Sequence, residues 1–163
     1  MNDDDAAALA ALAAALTARG WMLASAESCT GGLLAAACTT RAGSSDWFER
    51  GIVSYSNAAK TELLGVPPAL IAQHGAVSAE VARAMAEGLL ARAPAQLVVS
   101  ITGIAGPGGG TPTKPVGTVW MALAQRGQPA AARLLRLHGD RAAIRAQTVT
   151  AALRALLDTL EAA

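Results

Sequence analysis

The run LVVSI at Leu97–Ile101 constrains this chain more than any other stretch. A strand that is apolar on both faces needs a layer of structure over each, so it belongs inside a sheet that is covered twice. The segment directly after it, GIAGPGGGTPTKP at Gly103–Pro115, has the composition of a loop.

Candidate helices and strands surround this pair of features. Leu9, Leu12 and Leu16 share a face at helical spacing, which predicts an amphipathic helix over residues 5–19 ended by Gly20. A short strand is expected at Trp21–Ala26, a helix at Leu33–Thr39, a turn at Gly43–Asp46, a strand at Gly51–Ser56 and a helical turn at Ala58–Leu64. Pro67 and Pro68 suit a helix start, and Ser78 suits the N-cap of a longer helix that runs toward Pro94. Two more strands are expected at Val116–Ala124 and Ala132–His138, then a terminal helix from near Asp140 that carries Leu153, Leu156, Leu157 and Leu160. Strands that alternate with helices early and sit together late predict one three-layer α/β/α domain over residues 1–163. Its sheet is expected to be mixed, mostly parallel and of about five strands.

Composition narrows the function classes. With 163 residues, 53% hydrophobic content and a formal charge of +1, the chain has material for one core and no charge excess for nucleic acid. The longest apolar stretch, Ala6–Ala18, falls short of the ~20 residues that cross a bilayer, and Asp3–Asp5 stand where a signal peptide is basic. A soluble cytoplasmic protein without a membrane partner is expected. Cys29 and Cys38 are too few for a disulfide framework and lack the histidines of a zinc site, so neither metal nor redox cofactor is expected.

Chemistry concentrates at SAESCTGG, Ser25–Gly32, on a strand-to-helix junction. Residues beyond the carboxyl end of an inner strand face the ligand crevice of an open α/β sheet, and a helix start there offers free amides to a phosphate or an oxyanion. Gly31 and Gly32 let a ligand approach that backbone; alternatively Ser28 or Thr30 is an N-cap and the glycines a tight turn. Of thirteen basic residues only Lys60 and Lys114 are lysine. A desolvated amine can act as a base and a guanidinium cannot, so Lys60 in SYSNAAK, beside the only tyrosine, Tyr55, is a candidate base; a solvated helix lysine and a half-buried core tyrosine are the alternative.

The glycine-rich loop matches neither the Gly-x-x-x-x-Gly-Lys-Ser/Thr phosphate loop nor Gly-x-Gly-x-x-Gly. With Thr102 at its root it suits either closure over a small ligand or a long crossover. A serine triad would have to draw on His74 or His138, with Asp140 beside the latter. Cys29 is a second candidate nucleophile, and Arg141 with Arg145, one helix turn apart, make either an anion clamp or a solvated helix face.

AESCTGGLLAA, GSSDWFERGIVSYSNAAKTELLGV, HGAVS, SITGIAGPGGGTPTKPVGTVWMAL and GDRAAIRAQ, in this order over about residues 26–147, resemble the CinA C-terminal domain family, whose characterised members are nicotinamide-nucleotide amidohydrolases. The resemblance implies a compact α/β/α domain that converts nicotinamide mononucleotide to nicotinate mononucleotide and ammonia, without a metal or organic cofactor. It implies Ser28 as nucleophile and Lys60 as its base, with Tyr55, Thr102 and Arg141 in support. On this reading Thr30, Gly31, Gly32 and Gly106 join Arg141 in holding the substrate, and the amides around Thr30–Gly32 receive the oxyanion. A stand-alone version and a homodimer are expectations from the family. The histidine of LHGDR, His138, departs from the smaller polar residue expected there. A module that binds a pyridine or adenine nucleotide without turnover, and an amidase for another amide, are the competing readings.

Overall fold

A computed structural model describes residues 1–163. Its elements are α1 (Asp3–Arg19), β1 (Leu23–Glu27), α2 (Leu33–Cys38), a 3-10 turn at Ser44–Asp46, β2 (Phe48–Val53), α3 (Asn57–Leu64), α4 (Pro68–His74), α5 (Ala79–Arg92), β3 (Leu97–Gly103), β4 (Thr118–Gln125), β5 (Ala131–Arg136) and α6 (Arg141–Glu161). One five-stranded sheet has the order β2-β1-β3-β4-β5. β2, β1 and β3 pair parallel, and β4 pairs antiparallel with both β3 and β5, so four strands share one direction.

β3 carries the double burial that its sequence demands. Leu97, Val99 and Ile101 pack with Leu9, Leu12 and Leu16 of α1 and with Ile144, Leu153, Leu156 and Leu160 of α6. Val98 faces the other way, toward Val81, Met85 and Leu89 of α5. The one polar residue of the run, Ser100, donates its hydroxyl to the Ala82 carbonyl of α5 at 2.6 Å, which offsets the cost of burying it. Each fully buried leucine here contributes about 1.5–3 kcal/mol by leaving water. No helix is long and apolar enough to cross a membrane.

Element ends differ from the expectations where side chains or turns intervene. α1 starts at Asp3 because Asn2 caps it, its side chain accepting the Asp5 amide at 2.7 Å. β2 runs three residues earlier than Gly51–Ser56. Leu23 donates to the Trp47 carbonyl and Ser54 donates to the Glu27 carbonyl, so the β1 ladder is complete before Tyr55, and Ser56 is already the N-cap of α3. β4 starts at Thr118 because Val116 and Gly117 belong to a turn closed by Thr118 N–H on the Pro115 carbonyl. β5 covers Ala131–Arg136 and stops short of His138.

The strand order positions the site. From β1 the chain passes through α2 to β2 on one side, then returns through α3, α4 and α5 to β3 on the other. The carboxyl ends of β1 and β3 therefore lie side by side at the point where the connections diverge, which is where an open α/β sheet has its crevice.

Candidate active site

A cavity of about 270 Å³ opens at that point, and Ser28, Cys29, Tyr55, Asn57, Lys60 and Thr102 are among its lining residues. Gly103, Ile104, Ala105, Gly106, Gly108, Gly109 and Arg141 complete the wall on the loop side. Thr30, Gly31 and Gly32 are not part of the lining. Thr30 is fully buried with a hydroxyl that has no partner, and a Cβ at Gly31 would lie 3.5 Å from the Arg145 guanidinium on the α6 side.

Ser28 follows β1 directly, and its amide donates to the Ile101 carbonyl at 3.0 Å, which stitches it to β3. Neither Ser28 nor Thr30 caps α2. The N-cap is Gly32, at φ 101° and with no side chain to offer, and the exposed amides are taken instead by Glu27. Its buried carboxylate accepts Leu34 N–H on Oε1 and Ala35 N–H on Oε2, both at 3.0 Å. A negative charge at a helix start is favourable, so the carboxylate of SAESCTGG serves the elbow that presents Ser28. Sequence alone assigned Glu27 no role; its signal was an acid just ahead of a glycine-led helix.

Lys60 arrives from α3 with its side chain only 1% exposed. Its Nζ lies 3.0 Å from each of three oxygens: Ser28 Oγ, the Ser54 carbonyl and the Tyr55 carbonyl. Burial holds its amine below the usual lysine range, with a weaker opposing pull from the Cys29 thiol. A neutral amine has two N–H donors and one lone pair. Three acceptors match the three donors of a charged amine, and the Ser28 hydroxyl has the Tyr55 carbonyl at 3.4 Å as its own acceptor. Loss of one proton from Nζ would leave a lone pair facing Ser28 Oγ. Cys29, also buried, has its thiol pushed up to about 11 by desolvation, so near neutral pH it holds little thiolate beside Ser28.

Thr102 donates its hydroxyl to the Ala76 carbonyl at 2.9 Å, which leaves its oxygen to accept from whatever fills the cavity. It makes no hydrogen bond with Lys60. Tyr55 meets the lysine through its main chain, while its side chain, 58% exposed rather than half-buried in the core, accepts from Arg141 Nη2 at 3.2 Å. Arg141 also donates to the Gly106 carbonyl at 2.8 Å, so it links the first turn of α6 to both the glycine-rich loop and the cavity mouth. The amides of Ala105, Gly106, Gly108 and Gly109 have no acceptor within the protein, which suits an anion.

The remaining candidates lie elsewhere. Arg145 neither clamps an anion nor points into water; its guanidinium is spent on the carbonyls of Cys29 and Thr30. Lys114 donates to the His74 carbonyl at the end of α4 and anchors the loop there. His138 lines a separate cavity with Pro112, Val116 and Arg136, so it does not reach Ser28. Asn57, at the first position of α3, lines the Ser28 cavity and was missed; only its place at a helix start beside Tyr55 marked it.

Residues 5–160 match the CinA C-terminal domain. A CinA-like protein of Mycolicibacterium vanbaalenii is 58% identical over 137 residues, which are 84% of this chain and 32% of that protein. The chain thus spans about a third of that relative's length. The nicotinamide-nucleotide amidohydrolase PncC of Enterobacter agglomerans is 51% identical over 146 residues, 90% of this chain and 89% of its own length. Among solved structures, the competence/damage inducible protein CihA of Agrobacterium tumefaciens superposes with a TM-score of 0.95 at 41% identity, over 99% of this chain and 98% of that one. The chain belongs to the CinA C-terminal domain family.

Proposed function

We propose that this protein is a serine amidohydrolase that converts nicotinamide mononucleotide to nicotinate mononucleotide and ammonia through Ser28 and Lys60. The observation that carries the reading is the Lys60 amine, buried without a carboxylate partner, with two carbonyls on its N–H groups and Ser28 Oγ at 3.0 Å. The name of the Enterobacter agglomerans relative, similar along most of its length, supports the choice of substrate.

Ser28 Oγ adds to the carboxamide carbon as its proton passes to Lys60 Nζ and the carbonyl electron pair moves onto oxygen. Collapse of this adduct breaks the C–N bond, and the lysine returns the proton to the departing ammonia. Water then adds to the acyl-enzyme, giving a proton to Lys60; the C–Oγ bond breaks and Ser28 recovers its proton. The Thr102 oxygen accepts from the carboxamide N–H and so turns its carbon toward Ser28. The unpaired loop amides and Arg141 hold the nucleotide phosphate at the mouth, with Tyr55 keeping the guanidinium in place.

Ammonia release from nicotinamide mononucleotide by the purified protein, beside Ser28→Ala, tests this. Release that disappears in the variant is expected. No release from folded protein, with a melting shift on adding the nucleotide, overturns the reading in favour of a binding module.

A further inference from the structure

Besides Glu27, a second side chain holds the elbow behind Ser28 from outside the cavity. Arg145, half-buried on α6, donates from Nε to the Cys29 carbonyl at 3.0 Å and from Nη2 to the Thr30 carbonyl at 3.2 Å. It is more than a hundred residues away in sequence, so the contact forms only when α6 docks. The Ser28 carbonyl is fixed as well, accepting Gly31 N–H at 3.0 Å.

These bonds determine where the amides of the elbow point. In one planar peptide unit the C=O and N–H are directed oppositely. The bond from Gly31 to the Ser28 carbonyl therefore turns the Cys29 N–H away from the turn, and Arg145 on the Cys29 carbonyl turns the Thr30 N–H away from α6. Neither amide donates to another residue, and the Cys29 N–H has only its own thiol beside it. Unpaired amides next to a nucleophile are costly to keep unless something else uses them. Cys29 lines the cavity and Thr30 does not, which makes the Cys29 amide the donor available to a bound carboxamide.

We propose that Arg145 is a positioning residue for the amidohydrolase reaction: its bond to the Thr30 carbonyl sets the Gly31 N–H of the same peptide unit, Gly31 fixes the Ser28 carbonyl, and the Cys29 N–H opposite that carbonyl meets the oxyanion formed as Ser28 adds to the carboxamide. This rests on the assignment of Ser28 as nucleophile and Lys60 as base. It also moves the oxyanion contact from Thr30–Gly32, which lie off the cavity, to the residue directly after the nucleophile. Lysine cannot replace Arg145 fully, because its single ammonium lacks the planar fork that serves two carbonyls at once.

The test is ammonia release from nicotinamide mononucleotide by the full chain, Arg145→Ala and Arg145→Lys. Misplacing one oxyanion donor costs about 100-fold in kcat, and that loss is expected for Arg145→Ala. A donor used only in the transition state leaves KM within about threefold, and Arg145→Lys recovers part of the rate. An unchanged kcat, or a raised KM with kcat kept, overturns the inference. Where Arg145→Ala does not fold, Arg145→Lys decides by the same split. Labelling of Ser28 by a fluorophosphonate separates this idea from the choice of substrate: Ser28 Oγ bonds phosphorus, fluoride leaves and Lys60 takes the proton. A chain that is labelled yet releases no ammonia refutes the substrate alone, and slower labelling of Arg145→Ala then supports the positioning role. Equal labelling rates, or no labelling of the intact chain, overturn it.

Discussion

Glu27 reaches over the elbow to Leu34, its Oε1 accepting the Leu34 amide at 3.0 Å while Oε2 takes Ala35. α2 has only six residues and no side-chain cap of its own, so it is far too short to persist by itself. Glu27→Gln keeps one acceptor and turns an amide NH2 onto the other helix N–H. That leaves buried donors facing each other, at a cost of about 1–3 kcal/mol. Urea unfolding should show that loss, together with a fall in kcat because Ser28 is the next residue. Unchanged stability would mean that water or another group can take the place of the carboxylate.

Lys60 makes stability depend on pH in an unusual direction. Its folded-state pKa is depressed by burial, so the folded protein binds this proton less readily than the unfolded chain does. The penalty is complete below the folded value and fades as pH rises toward the unfolded value of about 10.4. Lys60→Met is therefore expected to be more stable than the intact chain near neutral pH, with the gap closing as pH rises. Denaturation of both proteins at a series of pH values checks this; a gap that widens with pH contradicts a buried amine of lowered pKa.

The same shift governs rate. If Lys60 is the base proposed above, the reactive form holds it neutral, so kcat/KM should rise with pH through the lysine's depressed value and level off before the ordinary lysine range. Lys60→Met should lose at least about 100-fold in rate, the lower end for a general base, and lose the ascending limb with it. A profile that keeps its ascending limb in Lys60→Met assigns the limb to another group.

Much of this organisation was legible in the chain. LVVSI has the pattern typical of an inner strand, and Gly20, Ser78 and Asp140 punctuate helices by the conformations and caps they allow. The pair Ser28 and Lys60, 32 residues apart, was marked by a polar elbow, by scarce lysine and by strand ends that could bring both to one crevice, while their roles as nucleophile and base came from the family resemblance. The orientation of the elbow was not legible. Gly31 and Gly32 adopt φ of 56° and 101°, and which side then faces the crevice depends on Glu27 and Arg145, contacts that exist only after packing. β2 was misplaced for a related reason: its ladder is fixed by the carbonyls of Trp47 and Glu27, not by the apolar pattern of its own residues.

Thr102 and Arg141 should separate kinetically. Thr102→Val keeps shape but removes the acceptor proposed for the carboxamide N–H and frees the Ala76 carbonyl. Losing one hydrogen bond of about 1.4 kcal/mol corresponds to tenfold, expected mainly in kcat if the contact tightens as the carbon becomes tetrahedral. Arg141→Ala removes charge at the mouth and should raise KM with kcat largely retained. Steady-state kinetics on the two variants checks the division; a kcat loss for Arg141→Ala at constant KM would place that guanidinium at the reacting atoms.

Gly88 sets the distance between α5 and the helix that carries Lys60. A Cβ at position 88 would overlap the Leu64 carbonyl oxygen and come within 2.8 Å of its carbon, both backbone atoms that cannot swing aside. Alanine in a helix is worth up to about 1 kcal/mol over glycine. Overpacking against main chain costs about 1–3 kcal/mol, so the clash wins and Gly88→Ala should melt lower. Relief of the clash pushes the last turn of α3 outward, and Lys60 lies one turn before Leu64 on the same helix. The variant should therefore lose rate at temperatures where it is still fully folded, which calorimetry and an ammonia assay on one preparation can establish. A raised melting temperature with normal rate would show that α3 yields without moving the lysine.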